Sequence, residues 1–291
     1  MDNAIDLHIH SIYSDGTDSP AQIVRHAKEL GLKAISLTDH DCVCGCAEMV
    51  EECKKSDIAF VPGIEMSTCY NNDTEIHILG YYINYNCEVF NATLSEYVEL
   101  RDKRTEKMVE NLCNEGFNIT MDMLHEKSPS SVITRAHIAR FLYETGQITD
   151  QQEAFTKYIG DDKPCFVKRK KVCTLEAIKM IHDVGGIAVI AHPTLYHLDN
   201  KELDAMIKLF KANGLDGIEG EYSTYKNDDA ANMKNLAYKY NLLLTGGSDY
   251  HGKNKPYIHL GSGRGNLHVP YKYYTELEKF HNKANRVGGG D

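Results

Sequence analysis

Two histidines and a carboxylate lie close together near the start of the chain: His8 and His10 in the run IDLHIH, then Asp15 in the SDG loop. Similar groups recur further on. His40 sits in TDHD between Asp39 and Asp41, Glu65 in GIE, His77 in EIHILG, His192 in AHP, and Asp249 and His251 in SDYHG. Six of the 14 histidines fall in these positions. A single histidine of this kind is ordinarily a hydrogen-bonded loop residue. Its recurrence beside carboxylates at the ends of successive apolar runs points to metal binding. Imidazole and carboxylate without thiolate suit zinc, manganese or iron, and not a soft copper site. Nine donors are too many for one ion, so two or three divalent ions sharing a carboxylate are expected.

Those donors need a frame that brings them together. IDLHIH, LKAISLTDH, IAFVPGIEMS, EIHILGYYIN, IAVIAHP, LDGIEGEY and LLLTGGSDYHG read as seven strands. Helical stretches separate most of them, such as SPAQIVRHAKELG, where Ser19 can cap, Pro20 fits the first turn and Gly31 ends the helix. Strands alternating with helices predict an α/β fold with a parallel sheet or barrel. In such barrels the C-terminal strand ends meet on one face, where active sites form. His8 and His10, two apart on a strand, point the same way. Residues 86–171 differ: they carry helical periodicity and no convincing strand, and read as a helical insertion. Residues 1–85 and 172–291 then form the barrel.

The 291 residues carry a net charge of −10, which argues against a protein that coats nucleic acid or binds a DNA duplex. It leaves room for a small phosphorylated ligand held by local cations. No apolar run approaches the roughly 20 residues of a membrane helix, and MDNAIDLHIH is no secretory signal. Nine cysteines are scattered, and the CVCGC cluster lacks a second thiol pair at ligand spacing. Reduced thiols and a cytoplasmic location are expected.

HIHS, TDHD, GIE, AHP and SDYHG, taken in this order, resemble the PHP (polymerase and histidinol phosphatase) family of metal-dependent phosphoesterases, over residues 5 to about 265. The resemblance implies a distorted, seven-stranded, TIM-like (β/α)7 barrel and three divalent ions. It groups His8, His10, Glu65 and Asp249 on the first ion. Glu65 would bridge to a second, completed by His77 and His192, and Asp15, His40 and His251 would hold the third. Glu65, Asp249 and His192 are the expected catalytic residues. The aspartate at position 15 resembles the branch acting on nucleotides rather than on histidinol phosphate.

Two ions roughly 3.5–4 Å apart would generate a bridging hydroxide for in-line attack on phosphorus. Substrate contacts are expected from the insertion. In TRAHIAR, Arg135 and His137 are candidates, Arg135 because arginine binds phosphate in bidentate fashion. The basic run at 168–171 adds Lys168. Leaving-group protonation could fall to His137, Asp39 or Asp41. The leading expectation is a phosphatase removing the 3′-phosphate of 3′,5′-bisphosphonucleotides, with very short RNA as a further substrate. The alternative is a cyclic phosphodiesterase acting on 5-phosphoribose 1,2-cyclic phosphate. Histidinol phosphatase, carbon–nitrogen hydrolase and non-catalytic module rank lower.

Overall fold

The computed structural model describes residues 4–71, 74–127, 133–168 and 172–288. The chain begins with strand β1 (Ile5–Ile9), helix α1 (Pro20–Glu29), β2 (Ala34–Leu37), α2 (Cys46–Ser56), β3 (Ala59–Tyr70) and β4 (Thr74–Tyr81). Helices α3 (Glu88–Asn114), α4 (Met121–Lys127), α5 (Arg135–Glu144) and α6 (Gln151–Ala154) follow, and a π-helical turn at Phe155–Ile159 ends this block. The short β5 (Val172–Cys173) leads back through α7 (Thr174–Asp183), β6 (Ile187–Ile190), α8 (Asn200–Ala212), β7 (Gly217–Tyr222), α9 (Asp229–Tyr240), β8 (Leu243–Gly247) and α10 (Tyr271–Gly288). Ser19 and Gln22 form a reciprocal capping box at the start of α1, with Pro20 in its first turn.

The expected seven strands are all present and form a nearly closed barrel in the order β1-β2-β3-β4-β6-β7-β8. The eighth strand, β5, pairs with β3 off this path. One expectation needs correction: the barrel is not wholly parallel. β4 runs antiparallel to both β3 and β6. A tight connection between β3 and β4 explains this, because a parallel return needs a crossover of a dozen or more residues. β3 is also longer than expected, so Glu65 stands in mid-strand and not at a strand end.

β1 and β8 approach where the ring closes. The Asp249 N–H donates to the His8 carbonyl at 2.8 Å, and the His10 N–H to the Tyr250 carbonyl at 2.9 Å. Between β4 and β5 the described residues hold helices only. They bury their own apolar cluster, including Met108, Leu112, Ile138, Leu142 and Ile159. Among the described residues no helix is long and apolar enough to cross a membrane.

Glycine at 247 is required by the closure. A Cβ there would lie 2.3 Å from His8 Cβ and 2.4 Å from its backbone nitrogen. Gly247→Ala is therefore expected to cost about 1–3 kcal/mol in a denaturant titration, the range for overpacking a dense interior. An unchanged midpoint would show that β1 and β8 are not locked together here.

Candidate metal centre

Each donor is placed by a strand or by the residues just beyond it. His8 lies in β1 and His10 one residue past its end; His40 follows β2. Glu65 is locked on both sides by main chain: its N–H donates to the Asp39 carbonyl at 3.1 Å, and the Asp41 N–H donates to its carbonyl at 2.9 Å. His77 stands early in β4, opposite Ser67 of β3. Because β4 is antiparallel, its first half lies at the barrel end where the neighbouring strands finish. His192 follows β6, and Asp249 and His251 follow β8. His192 and Asp249 have φ of +27° and +57°, values a non-glycine residue keeps only where its surroundings over-determine them.

All nine predicted donors meet at this end. Glu65 is the hub. Its Oε2 faces His10 Nε2 at 3.1 Å, His40 Nδ1 at 3.2 Å and His8 Nε2 at 3.3 Å. Its Oε1 faces His77 Nδ1 at 2.8 Å and His192 Nε2 at 2.9 Å. Asp249 Oδ1 lies 3.3 Å from both His10 Nε2 and His251 Nδ1, and 3.6 Å from His8 Nε2. Asp15 faces His251 Nε2 at 3.2 Å and His40 Nε2 at 3.8 Å.

Four overlapping donor groups could hold an ion: His10, Asp15, His40 and His251; His8, His10 and Asp249; His8, Glu65 and His192; His40, Glu65 and His77. The donor set fits hard-to-borderline divalent ions. The bonding fits too. His8 Nε2, His10 Nε2, Asp15 Oδ1, His40 Nδ1, Glu65 Oε2 and His192 Nδ1 are buried with no hydrogen-bond partner, although buried polar atoms are normally satisfied. Divalent ions among them would satisfy the first five; His192 faces the cluster through its other nitrogen, Nε2.

Electrostatics divide the cluster. Burial works against ionisation of Glu65, yet the His40, His77 and His8 imidazoles around it outweigh this and hold the carboxyl well below its usual range. Burial likewise opposes protonation of His10 and His77. For His10 the nearby Asp249 and Glu65 carboxylates prevail and lift it to about 9; for His77, Glu65 lifts it to about 10. Burial lowers His40 to about 3 and also lowers His251.

The supporting residues were less visible in sequence. Asp39, a candidate proton donor, accepts from the Ser11 N–H and from the Ser11 and Ser14 hydroxyls at 2.8, 2.7 and 2.5 Å. Asp41 accepts the Ser67 N–H at 2.8 Å and pairs with Arg101 of α3. Both carboxylates are thus committed to holding loops. Glu219, Tyr222, Lys255 and Arg101 went unrecognised. Tyr222 and Lys255 each donate to Asp249 Oδ2 at 2.7 Å. Glu219 is fully buried in β7, beside His8 and the His192 turn. Its signal was a carboxylate in the middle of a strand, within GIEGEY.

The predicted substrate contacts separate. His137 is buried, and its Nδ1 accepts the Thr134 N–H at 3.0 Å. With Arg140 it lines a cavity of about 410 Å³ with Lys127, Tyr143 and Lys253. Arg140 reaches Asn254 Oδ1 at 2.9 Å, and Asn254 Nδ2 donates to the Asp15 carbonyl at 2.6 Å, so the cavity adjoins the donor cluster. Arg135 turns instead to Asp161 at 2.8 Å and Glu75 at 3.5 Å, with its guanidinium over Phe166. Lys168 is exposed, and the remainder of its basic run, 169–171, lies outside the described residues.

Known proteins resemble this chain along most of its length. The model of the PHP domain family matches residues 6–253. A 5′-3′ exoribonuclease of Haemophilus influenzae is 34% identical over 86% of this chain and 91% of its own length. A 3′,5′-nucleoside bisphosphate phosphatase of Chromobacterium violaceum is 32% identical over 85% and 87%. A phosphoribosyl 1,2-cyclic phosphate 1,2-diphosphodiesterase of Eggerthella lenta is 28% identical over 88% and 97%. Among solved structures, an amidohydrolase from Chromobacterium violaceum with bound sulfate and no metal superposes with a TM-score of 0.85, at 29% identity over 95% of this chain and 96% of that one.

The raised imidazoles give a testable sign. Before an ion binds, His10 (about 9) and His77 (about 10) hold protons at neutral pH. An ion must displace them, so loading Mn²⁺ at about pH 7.5 should release protons, and affinity should climb as pH rises towards those values. Calorimetry in buffers of different ionisation enthalpy reads this directly. Ion binding without proton release would contradict the charge distribution described above.

Proposed function

Because the chain belongs to the PHP domain family of metal-dependent phosphoesterases, we propose that it removes the 3′-phosphate from nucleoside 3′,5′-bisphosphates and trims very short RNA. One observation carries the reading. Nine donors, seven of them buried and His40 and His77 partly so, six with an unsatisfied atom, adjoin a cavity whose wall holds Lys127, His137, Arg140 and Lys253. A dianionic phosphoryl group attached to a small nucleotide answers both features. The relative named as a bisphosphate phosphatase supports the monoester reading, and the one named as an exoribonuclease supports the trimming of RNA.

In this reading His8, His10, Glu65 and Asp249 would hold one divalent ion, Glu65 with His77 and His192 would hold a second, and Asp15, His40 and His251 would hold a third. Manganese, iron and zinc all suit these donors. Bound ions would bring a water's pKa towards about 7 and neutralise charge on the phosphoryl oxygens.

The chain's own groups supply the rest. With Nδ1 of His137 accepting a main-chain N–H, its proton sits on Nε2. Burial keeps that ring neutral, at about 4. His137 is thus a hydrogen-bond donor to substrate and not an acid. Arg140, fixed by Asn254, sets a positive charge in the cavity wall. Arg135 can exchange its partner Asp161, whose side chain is 74% exposed, for a substrate phosphate, because exposed ion pairs are weak. Lys168, exposed at the start of the basic run, is assigned the contact to a second phosphate.

Phosphate release tests the substrate. Adenosine 3′,5′-bisphosphate and 5-phosphoribose 1,2-cyclic phosphate should be offered side by side with Mn²⁺, against a chelated control. Preference for the bisphosphate, abolished by chelator, is expected. Preference for the cyclic ester would shift the assignment to the reaction named for the Eggerthella lenta relative. Arg140→Ala should raise KM for the bisphosphate about tenfold or more, the worth of a charge-assisted hydrogen bond, with metal content unchanged. An unaltered KM would remove the cavity from the account.

A further inference from the structure

One carboxylate serves two strands of the donor cluster. Glu219 of β7 is fully buried. Its Oε1 stands 3.0 Å from His8 Nδ1, and its Oε2 accepts the His192 backbone N–H at 2.6 Å. The Tyr225 hydroxyl fixes the Glu219 carbonyl at 2.8 Å. Glu219 belongs to none of the four groups able to hold an ion.

The proton positions follow. His8 Nε2 faces Glu65 Oε2 and Asp249 Oδ1 at 3.3 and 3.6 Å, inside the cluster. Its Nδ1 therefore carries the proton and donates to Glu219. The other oxygen holds a strained turn. His192 has φ +27°, and the Glu219 bond to its N–H is one of the contacts that sustain this conformation. A carboxylate buried this deeply is costly unless hydrogen-bonded, so it and its two donors stabilise one another.

We propose that Glu219 is a positioning residue that acts on two donors at once. It fixes the His8 tautomer so that the Nε2 lone pair faces the ion, and it sets the main-chain turn that directs His192 to the same centre. Glu219 touches neither ion nor substrate. The inference rests on the reading of His8 and His192 as metal-holding residues.

Glu219→Gln tests it because shape is kept while bonding is not. Both partners are donors, and an amide offers one acceptor oxygen, so its NH2 must oppose either the His8 Nδ1–H or the His192 N–H. Titration of the metal-stripped full chain with Mn²⁺ against a competing chelator should show affinity lowered about 10–100-fold. Glu219→Asp, drawn back by one methylene, should also lose affinity, and it decides the matter if the glutamine variant does not fold. Tyr225→Phe removes only a bond to the Glu219 main chain and should bind Mn²⁺ as the wild type does. Wild-type affinity in the folded Glu219 variants would overturn the inference while leaving the metal centre intact. An equal loss in Tyr225→Phe would overturn it as well, by showing general distortion. A wild-type chain that takes up no Mn²⁺ would sink both the inference and the metal reading beneath it.

Discussion

Everything at the candidate site depends on Glu65. Its carboxylate is buried, and its two oxygens face five imidazoles: His8, His10 and His40 on one side, His77 and His192 on the other. A charge placed there is untenable without compensation. Protons on the imidazoles can supply it, and so can divalent ions, and the two compete for the same lone pairs. The fold holds Glu65 accordingly, between the main chain of Asp39 and Asp41. Asp41 is held in turn by Arg101 from the helical block. The helical block thus reaches the hub of the barrel through one buried ion pair.

The reversed strand serves the same purpose. His77 lies early in its strand, where a parallel arrangement would carry it to the opposite end of the barrel. Antiparallel pairing with both neighbours returns it to the donor cluster. Closure of β1 against β8, made possible by a glycine at 247, brings Asp249 and His251 alongside His8 and His10. The strained turns at His192 and Asp249 are the local cost of directing side chains inward from strand ends.

Much of this was legible in sequence because strand periodicity and donor chemistry coincide. The seven strands could be read from apolar runs, and the nine donors from their recurrence at or near the ends of those runs. Strand direction was not legible in the side-chain period, which is two for both kinds of strand; the signal for the reversal of β4 was the short link between the third and fourth apolar runs. Glu219 was missed because it lies within a strand and its role depends on strands that are remote in sequence. The contrast between Arg135 and Arg140 also needed three dimensions. His137 and Arg140 are three apart on α5 and share a face, whereas Arg135 turns to Asp161.

The most direct test of the account is elemental analysis of the purified chain and of Glu65→Gln after equilibration with Mn²⁺. Three ions per wild-type chain are expected, and fewer in the variant, because the hub that joins two of the sites is gone. A wild-type chain holding one ion or none, or a variant that retains the full complement, would contradict it.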